Sequence, residues 1–267
     1  MIRLLWAVIA LVWAQIAAAD TMRLAVTTSF ENSGLADVLL PAIKEDLDLD
    51  VQLLVVGTGQ ALRLGQSGDV DAILVHSNTG EIDSVAQGHG SHRREIMYND
   101  FVVIGPVADA ASISGASGAE DAFARIAVAQ VPFVSRGDNS GTHKAELAIW
   151  QRAGIDTNAT LEWYQSVGAG MGAALNTAAG LNAYVLSDRA SWLNFGNKDG
   201  LALLYSGDPA LFNQYAFIAV NPSKNAHVRN DLAILLETWL TSTRAADLIN
   251  AYTINDETLF VFNATPQ

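Results

Sequence analysis

Short apolar runs alternate with longer stretches of helical periodicity along most of the chain. Met22 to Val26 (MRLAV) and Val51 to Val56 (VQLLVV) have the length and composition of strands. Ala72 to Val75 (AILV) reads as a buried strand, expected to be parallel to them. Between the first two, Thr27 to Ser33 reads as a polar turn and Leu35 to Leu47 as a helix. Pro41 is expected to bend or split that helix, because proline lacks the N–H an interior turn needs. Gly57-Thr58-Gly59 makes the next turn, and a helix starts over Gln60 to Gly65. This β-α-β-α-β order implies an open α/β sheet with helices on both faces.

A second alternating block follows. It holds a helix over Glu120 to Ala129, a strand at Phe133-Val134, a helix over Thr142 to Ala153, a helix from Met171 and a strand near Ala183 to Leu186. Two short apolar runs flank this block, Phe101 to Ile104 closed by Pro106 and Ala216 to Val220 closed by Pro222. They read as crossings between two lobes. His227 to Tyr252 is helical, with an apolar face at Leu232, Leu235, Leu236 and Leu240, and returns to the first lobe. The expected division is lobe I at residues 20–103 and 218–267, lobe II at 104–217, and a cleft between them.

The first nineteen residues pattern as a secretory signal peptide. Arg3 supplies the positive start, Leu4 to Ile16 the apolar stretch and Ala17-Ala18-Ala19 the small-residue cleavage site, so Asp20 is the expected mature N-terminus. The chain has no cysteine, which removes disulfides, thiolate metal sites, cysteine nucleophiles and the usual lipid-attachment residue. A soluble periplasmic protein is the expectation. The formal net charge of −13 argues against nucleic acid and anionic membranes as partners. It does not exclude a small anion, because local dipoles in a dry cleft outweigh distant, screened surface charge.

Four turns share one design, with small hydrogen-bond donors just ahead of a helix. They are Thr27-Thr28-Ser29, Gly57-Thr58-Gly59, Ser140-Gly141-Thr142 and Gly168-Ala169-Gly170. A helix N-terminus presents unpaired N–H groups and partial positive charge, and glycine lets an anion come close. Any one such turn is better explained by ordinary capping; four in two lobes facing one cleft shift the balance toward an anion site. The densest segment is SRGDNSGTH, Ser135 to His143. Arg136 can grip two oxygens of an anion with its planar fork, or instead pair with Asp138 or Asp188 as a structural salt bridge.

Other chemistry fits poorly. His76, His92 and His143 have no ligand-pair spacing with a carboxylate, so no metal site is expected. Asp138, Ser140 and His143 have triad residue types, but they crowd into six residues with no G-x-S-x-G turn. The glycines of GAGMG lack the context of a dinucleotide site. Trp163-Tyr164 and Tyr184 read as packing.

Taken together, TTSFENSGLADVLLP, VGTGQALRLGQSGDVDAILVH, MYNDFVVIGP, FVSRGDNSGTHKAELAIW, GAGMGAALN, AYVLSDRASWL and AFIAVNP resemble the tungstate-binding subunits of ABC transporters, within the type II periplasmic binding proteins. The resemblance covers most of residues 20–267. It implies a clamshell with two hinge strands that closes on one tungstate or molybdate ion and hands it to a permease driven by an ATPase. It also implies a monomer with no cofactor, no catalytic activity and no metal other than the bound oxyanion. The matching binding positions are Thr28, Ser29, Thr58, Arg136, Ser140, Gly141, Thr142, Gly170 and Met171. The chain departs from the family pattern at Val26, Phe30, Ser77 and Ala169. Two readings compete: a receptor for phosphate or sulfate on the same fold, and an exported hydrolase.

Overall fold

The computed structural model describes residues 19–138, 140–159, 162–198 and 200–265. The expected signal peptide thus lies outside the described residues except for Ala19. In chain order the elements begin β1 (Asp20–Thr27), α1 (Thr28–Asn32), α2 (Ala36–Leu47), β2 (Leu49–Val56), α3 (Thr58–Ser67), β3 (Ala72–Val75), α4 (Asn78–Ala86) and β4 (Arg94–Pro106). They continue with α5 (Ala119–Ala129), β5 (Phe133–Ser135), α6 (Gly141–Arg152), β6 (Tyr164–Ser166), α7 (Met171–Leu181), β7 (Tyr184–Asp188), α8 (Arg189–Asn194) and β8 (Leu201–Tyr205). The last are β9 (Phe212–Ala219), α9 (Asn230–Leu240), α10 (Thr243–Ala251), β10 (Thr253–Ile254), β11 (Glu257–Thr258) and β12 (Val261–Phe262).

The long strand β4 is shared by two sheet regions. Its first half, Arg94 to Asp100, pairs with β9, and β9 pairs in turn with β3, beyond which lie β1 and β2. Its second half, Phe101 to Pro106, pairs with β7 and β8, and β5 and β6 lie beyond β7. β1 is parallel to β2 and β3, as the buried AILV run suggests. β4 changes partner at Asp100/Phe101, and β9 starts at Phe212, paired with Asp100.

Strand alternation gives each region two cores. In the first, Leu24, Val26, Leu74 and Phe217 face α2 and α9, whereas Ala25, Ile73, Val75 and Ile218 face α3. In the second, Phe101, Val103, Phe133 and Tyr184 face α5 and α6, whereas Val102, Ile104, Val134 and Val185 face α7 and α8. Each buried Leu, Ile or Phe contributes about 2 kcal/mol of transfer free energy. The fold is therefore a mixed α/β protein of two lobes, each with helices on both sheet faces.

Three local expectations need correction. Thr27 to Ser33 is not a plain turn: Thr28–Asn32 is a short helix, capped where Phe30 N–H donates to Thr27 Oγ1 at 3.3 Å. Pro41 does not split α2, which runs unbroken through it. Pro41 and Asp37, whose carbonyl loses its partner, both lie on the exposed side, where solvent can satisfy that carbonyl. The stretch from His227 to Tyr252 is two helices, because Ser242 caps a new one by accepting from Ala245 N–H. Leu235, placed on the apolar face by spacing, is 40% exposed.

Candidate functional site

The ends of β1, β5, β6 and β7 bring their following turns to one cleft of about 400 Å³. Its lining includes Thr28, Ser29 and Asn32 of α1, Arg136 after β5, and Gly170, Met171 and Gly172 at the start of α7. Asp188, Ala190, Ser191 and Asn194 at and after the end of β7 complete it. Five positions expected from the sequence thus share one surface: Thr28, Ser29, Arg136, Gly170 and Met171. Thr58, Ser140, Gly141 and Thr142 are not part of that lining. Thr58 is the first residue of α3, and Thr142 is buried in the first turn of α6. Ser140 caps α6, its Oγ accepting from His143 N–H at 3.2 Å. Gly141 is close to the first lobe, where a Cβ would come within 3.0 Å of His76 Cε1.

The backbone holds Arg136 firmly. Its carbonyl accepts from Gly168 N–H at 2.8 Å and from Ala169 N–H at 3.2 Å, tying the arginine to the GAGMG turn. Gly137 has φ of +63°, and a Cβ there would meet Ser166 Cβ at 2.9 Å. Only glycine both tolerates that conformation and leaves the room. The guanidinium donates through Nε at 3.1 Å and Nη2 at 2.5 Å to Asp138 Oδ2, and Ser140 N–H donates to Asp138 Oδ1 at 3.1 Å. Burial alone would raise the Asp138 pKa, but hydrogen bonds from Ser140 and Arg136 outweigh it and hold the carboxyl below its ordinary range. Asp138 is thus ionised at neutral pH and turned toward arginine and helix. Arg136 lines the cleft and is also salt-bridged, to Asp138 rather than Asp188.

On the other wall, Ser29 Oγ lies 2.9 Å from His76 Nε2, 3.0 Å from Thr27 Oγ1 and 3.2 Å from the Tyr215 hydroxyl. Burial lowers the His76 pKa to about 4, against the opposing influence of its own carbonyl and Asn213. His76 is therefore neutral at pH 7. α7 begins with Gly170 as N-cap and no side-chain capping bond, so its first amides are not taken by a cap. α8 begins with Asp188, whose Oδ1 accepts from Ser191 N–H at 2.8 Å.

Sequence reasoning missed Asn32, Gly172, Asp188 as a lining residue, Ala190, Ser191 and Asn194. The S-D-x-x-S spacing of Ser187 to Ser191 was a capping signal that would have located α8. Asp188 adds a second carboxylate near the cleft besides Asp138. Trp163 and Tyr184 belong to a core, as their reading as packing anticipates. His92 pairs with buried Glu237 at 2.7 Å, away from the cleft lining. Among the described residues no group of three or more His, Asp and Glu side chains is placed to hold a metal ion.

The cleft joins the N-termini of α1, α7 and α8, small hydroxyls and one fixed arginine, an arrangement suited to an anion rich in acceptors. A family model, the PBP superfamily domain, matches residues 14–244. The chain is 42% identical over 248 residues to a putative ABC transporter anion-binding protein of Haloferax volcanii, covering 91% of this chain and 72% of the relative. It is 41% identical over 231 residues to the tungstate-binding protein TupA of Peptoclostridium acidaminophilum, covering 86% and 80%. The solved structure of the tungstate-binding protein TupA from Desulfovibrio alaskensis G20 is similar with a TM-score of 0.88 at 38% identity, covering 92% of this chain and 100% of that one. The chain therefore belongs to the PBP superfamily and, within it, to the family of the tungstate-binding proteins of ABC transporters.

Proposed function

We propose that this protein is an exported receptor that captures tungstate or molybdate in the Arg136 cleft and delivers it to an ABC permease with its ATPase. The observation that carries the reading is the Arg136–Asp138 pair facing Thr28, Ser29 and the Gly170 turn across one cleft. A fully deprotonated tetrahedral oxyanion offers only acceptors, and these groups are donors or can act as donors. Thr58, Ser140, Gly141 and Thr142 lie outside the lining and would join the site only if the lobes close further. No reaction is assigned, since the relatives are named as binding proteins, and the Ser29–His76 contact is read as positioning a donor. We further propose a monomer, lobes that meet near residues 103/104 and 217/218, and release of residues 1–19 by cleavage after Ala19. Among the described residues no helix is long and apolar enough to cross a membrane.

Asp188 favours a second reading. Its carboxylate lines the cleft, and a buried acceptor is what a singly protonated phosphate needs. Its capping of α8 opposes that use. Calorimetric titration of the mature protein with tungstate tests the main reading: one ion bound per chain is expected, and no heat of binding at any oxyanion concentration would overturn it.

A further inference from the structure

We propose that neutral His76 is a positioning residue, donating from Nε2–H to Ser29 Oγ, so that the single Ser29 proton points into the cleft and the site favours oxyanions that carry no proton. This rests on the oxyanion reading of the cleft.

The argument starts from the capacity of a hydroxyl, which has one proton and two lone pairs. Ser29 Oγ has three close protein neighbours, His76 Nε2, Thr27 Oγ1 and the Tyr215 hydroxyl. If His76 Nε2 lacked a proton, the ring would be an acceptor and would compete for the Ser29 proton. Ser29 would then turn a lone pair toward the bound anion, which repels it. If Nε2 carries the proton, Ser29 accepts from the ring, and once the Thr27 or Tyr215 hydroxyl donates into its second lone pair its own proton is released to the ligand.

The surroundings of the ring select the second case. A neutral imidazole has one N–H and one lone pair. Nδ1 is buried, and although the His76 carbonyl and Asn213 lie near the ring, among the described residues no partner meets Nδ1 with the hydrogen-bond geometry that a proton held there would need. A buried orphan N–H is rarer and costlier than a buried orphan acceptor, so the lone pair belongs at Nδ1 and the proton at Nε2. Gly141, the first residue of α6, lies against this edge: a Cβ there would be 3.5 Å from Nδ1. The partial positive charge of that helix end disfavours a proton on the ring nitrogen facing it. The Tyr215 ring stands 4.8 Å from the imidazole and limits its rotation. Tyr215 is fully buried with its own pKa raised to about 12, so its hydroxyl keeps its proton; lying beside Ser29, Thr27 and Asn99, it can donate to one of the latter two and leave the second Ser29 lone pair to Thr27.

Selectivity follows. Phosphate at neutral pH carries a proton that needs an acceptor, and a Ser29 hydroxyl whose lone pairs are already taken offers none. Tungstate, molybdate and sulfate have no proton to place.

The test combines a spectroscopic and a binding readout on the mature protein. Histidine-selective nitrogen NMR should show His76 at pH 7 as the Nε2–H tautomer, assigned by its loss in His76→Gln. A proton on Nδ1 would overturn the proposal whatever the ligand. His76→Leu should bind tungstate about tenfold or more weakly, the worth of one hydrogen bond to a charged group. Its tungstate-to-phosphate affinity ratio should fall too. His76→Gln, whose amide can still donate, should recover most of both. An unchanged ratio in a folded His76→Leu protein would overturn the proposal. Wild-type protein that binds no oxyanion would defeat the oxyanion reading alone, since the tautomer is read without ligand.

Discussion

Asp138 accepts two hydrogen bonds from Arg136 on one carboxylate oxygen, from Nε at 3.1 Å and from Nη2 at 2.5 Å. Its other oxygen takes the Ser140 amide at 3.1 Å. One carboxylate therefore aims the arginine and starts α6. Asp138→Asn should leave the fold intact but loosen the guanidinium, weakening tungstate binding by about tenfold, the scale of one charge-assisted bond. Calorimetry on the two proteins checks it; equal affinities would reduce Asp138 to a helix cap.

Arg136 itself should matter more. Arg136→Ala is expected to cost on the order of 2–5 kcal/mol of oxyanion binding, as truncating a desolvated charge contact does. Arg136→Lys should restore only part, because an ammonium keeps the charge and loses the fork. Near-wild-type affinity in a folded alanine variant would assign the arginine to structure.

Arg189 grips Asp100 where β4 changes partner, with Nε to Oδ1 at 2.7 Å and Nη2 to Oδ2 at 2.6 Å. It also reaches Glu257 Oε2 at 3.5 Å. Both partners of the main pair are mostly buried. Arg189→Ala should lower unfolding stability by about 3 kcal/mol, because it strands Asp100. Small-angle scattering of the wild type should show a smaller radius of gyration with ligand, as hinge closure requires. An Arg189→Ala protein as stable as wild type would show that the pair is incidental.

Glu146 on α6 is almost wholly buried beneath the Arg136 loop, with the Tyr164 hydroxyl donating to Oε1 at 2.7 Å and Trp150 Nε1 at 3.3 Å. Burial raises its pKa to about 7, outweighing those hydrogen bonds. The native state thus holds the neutral acid more readily than the unfolded chain does. The resulting penalty is absent below pH 4.5, grows as pH rises from 4.5 to 7, and is complete above 7, where it reaches on the order of 3 kcal/mol. Glu146→Gln should flatten that part of the stability–pH curve in denaturant melts. A variant with the wild-type slope between pH 4.5 and 7 would mean that Glu146 ionises normally.

The strands and the Arg136 turn were legible because their signals are local. MRLAV, VQLLVV and AILV carry their burial in composition, and a lone arginine between a short apolar run and S-G-T has few other uses. The remaining features depend on tertiary contacts. TSFEN looks like a turn because only Phe30 is apolar, yet burying Phe30 against the first core makes it helical. His76 shows no motif, since its partners Ser29 and Tyr215 are 47 and 139 positions away in sequence, and Gly141 approaches it from another element. The Ser140 to Thr142 turn has the composition of an anion site, and that composition does not reveal that its serine also caps α6 by accepting from His143 N–H, a bond that leaves the hydroxyl proton available. The position of Asp188 in the cleft follows from the pairing of β7 with β4, which no local pattern encodes.

The most direct test of the account is a competition titration of the mature protein at pH 7 with tungstate, molybdate, sulfate and phosphate. A cleft of donors around Arg136, with Asp138 turned away to the arginine and Asp188 to the α8 amide, should hold tungstate and molybdate far more tightly than phosphate. Phosphate binding as tightly as tungstate would contradict it.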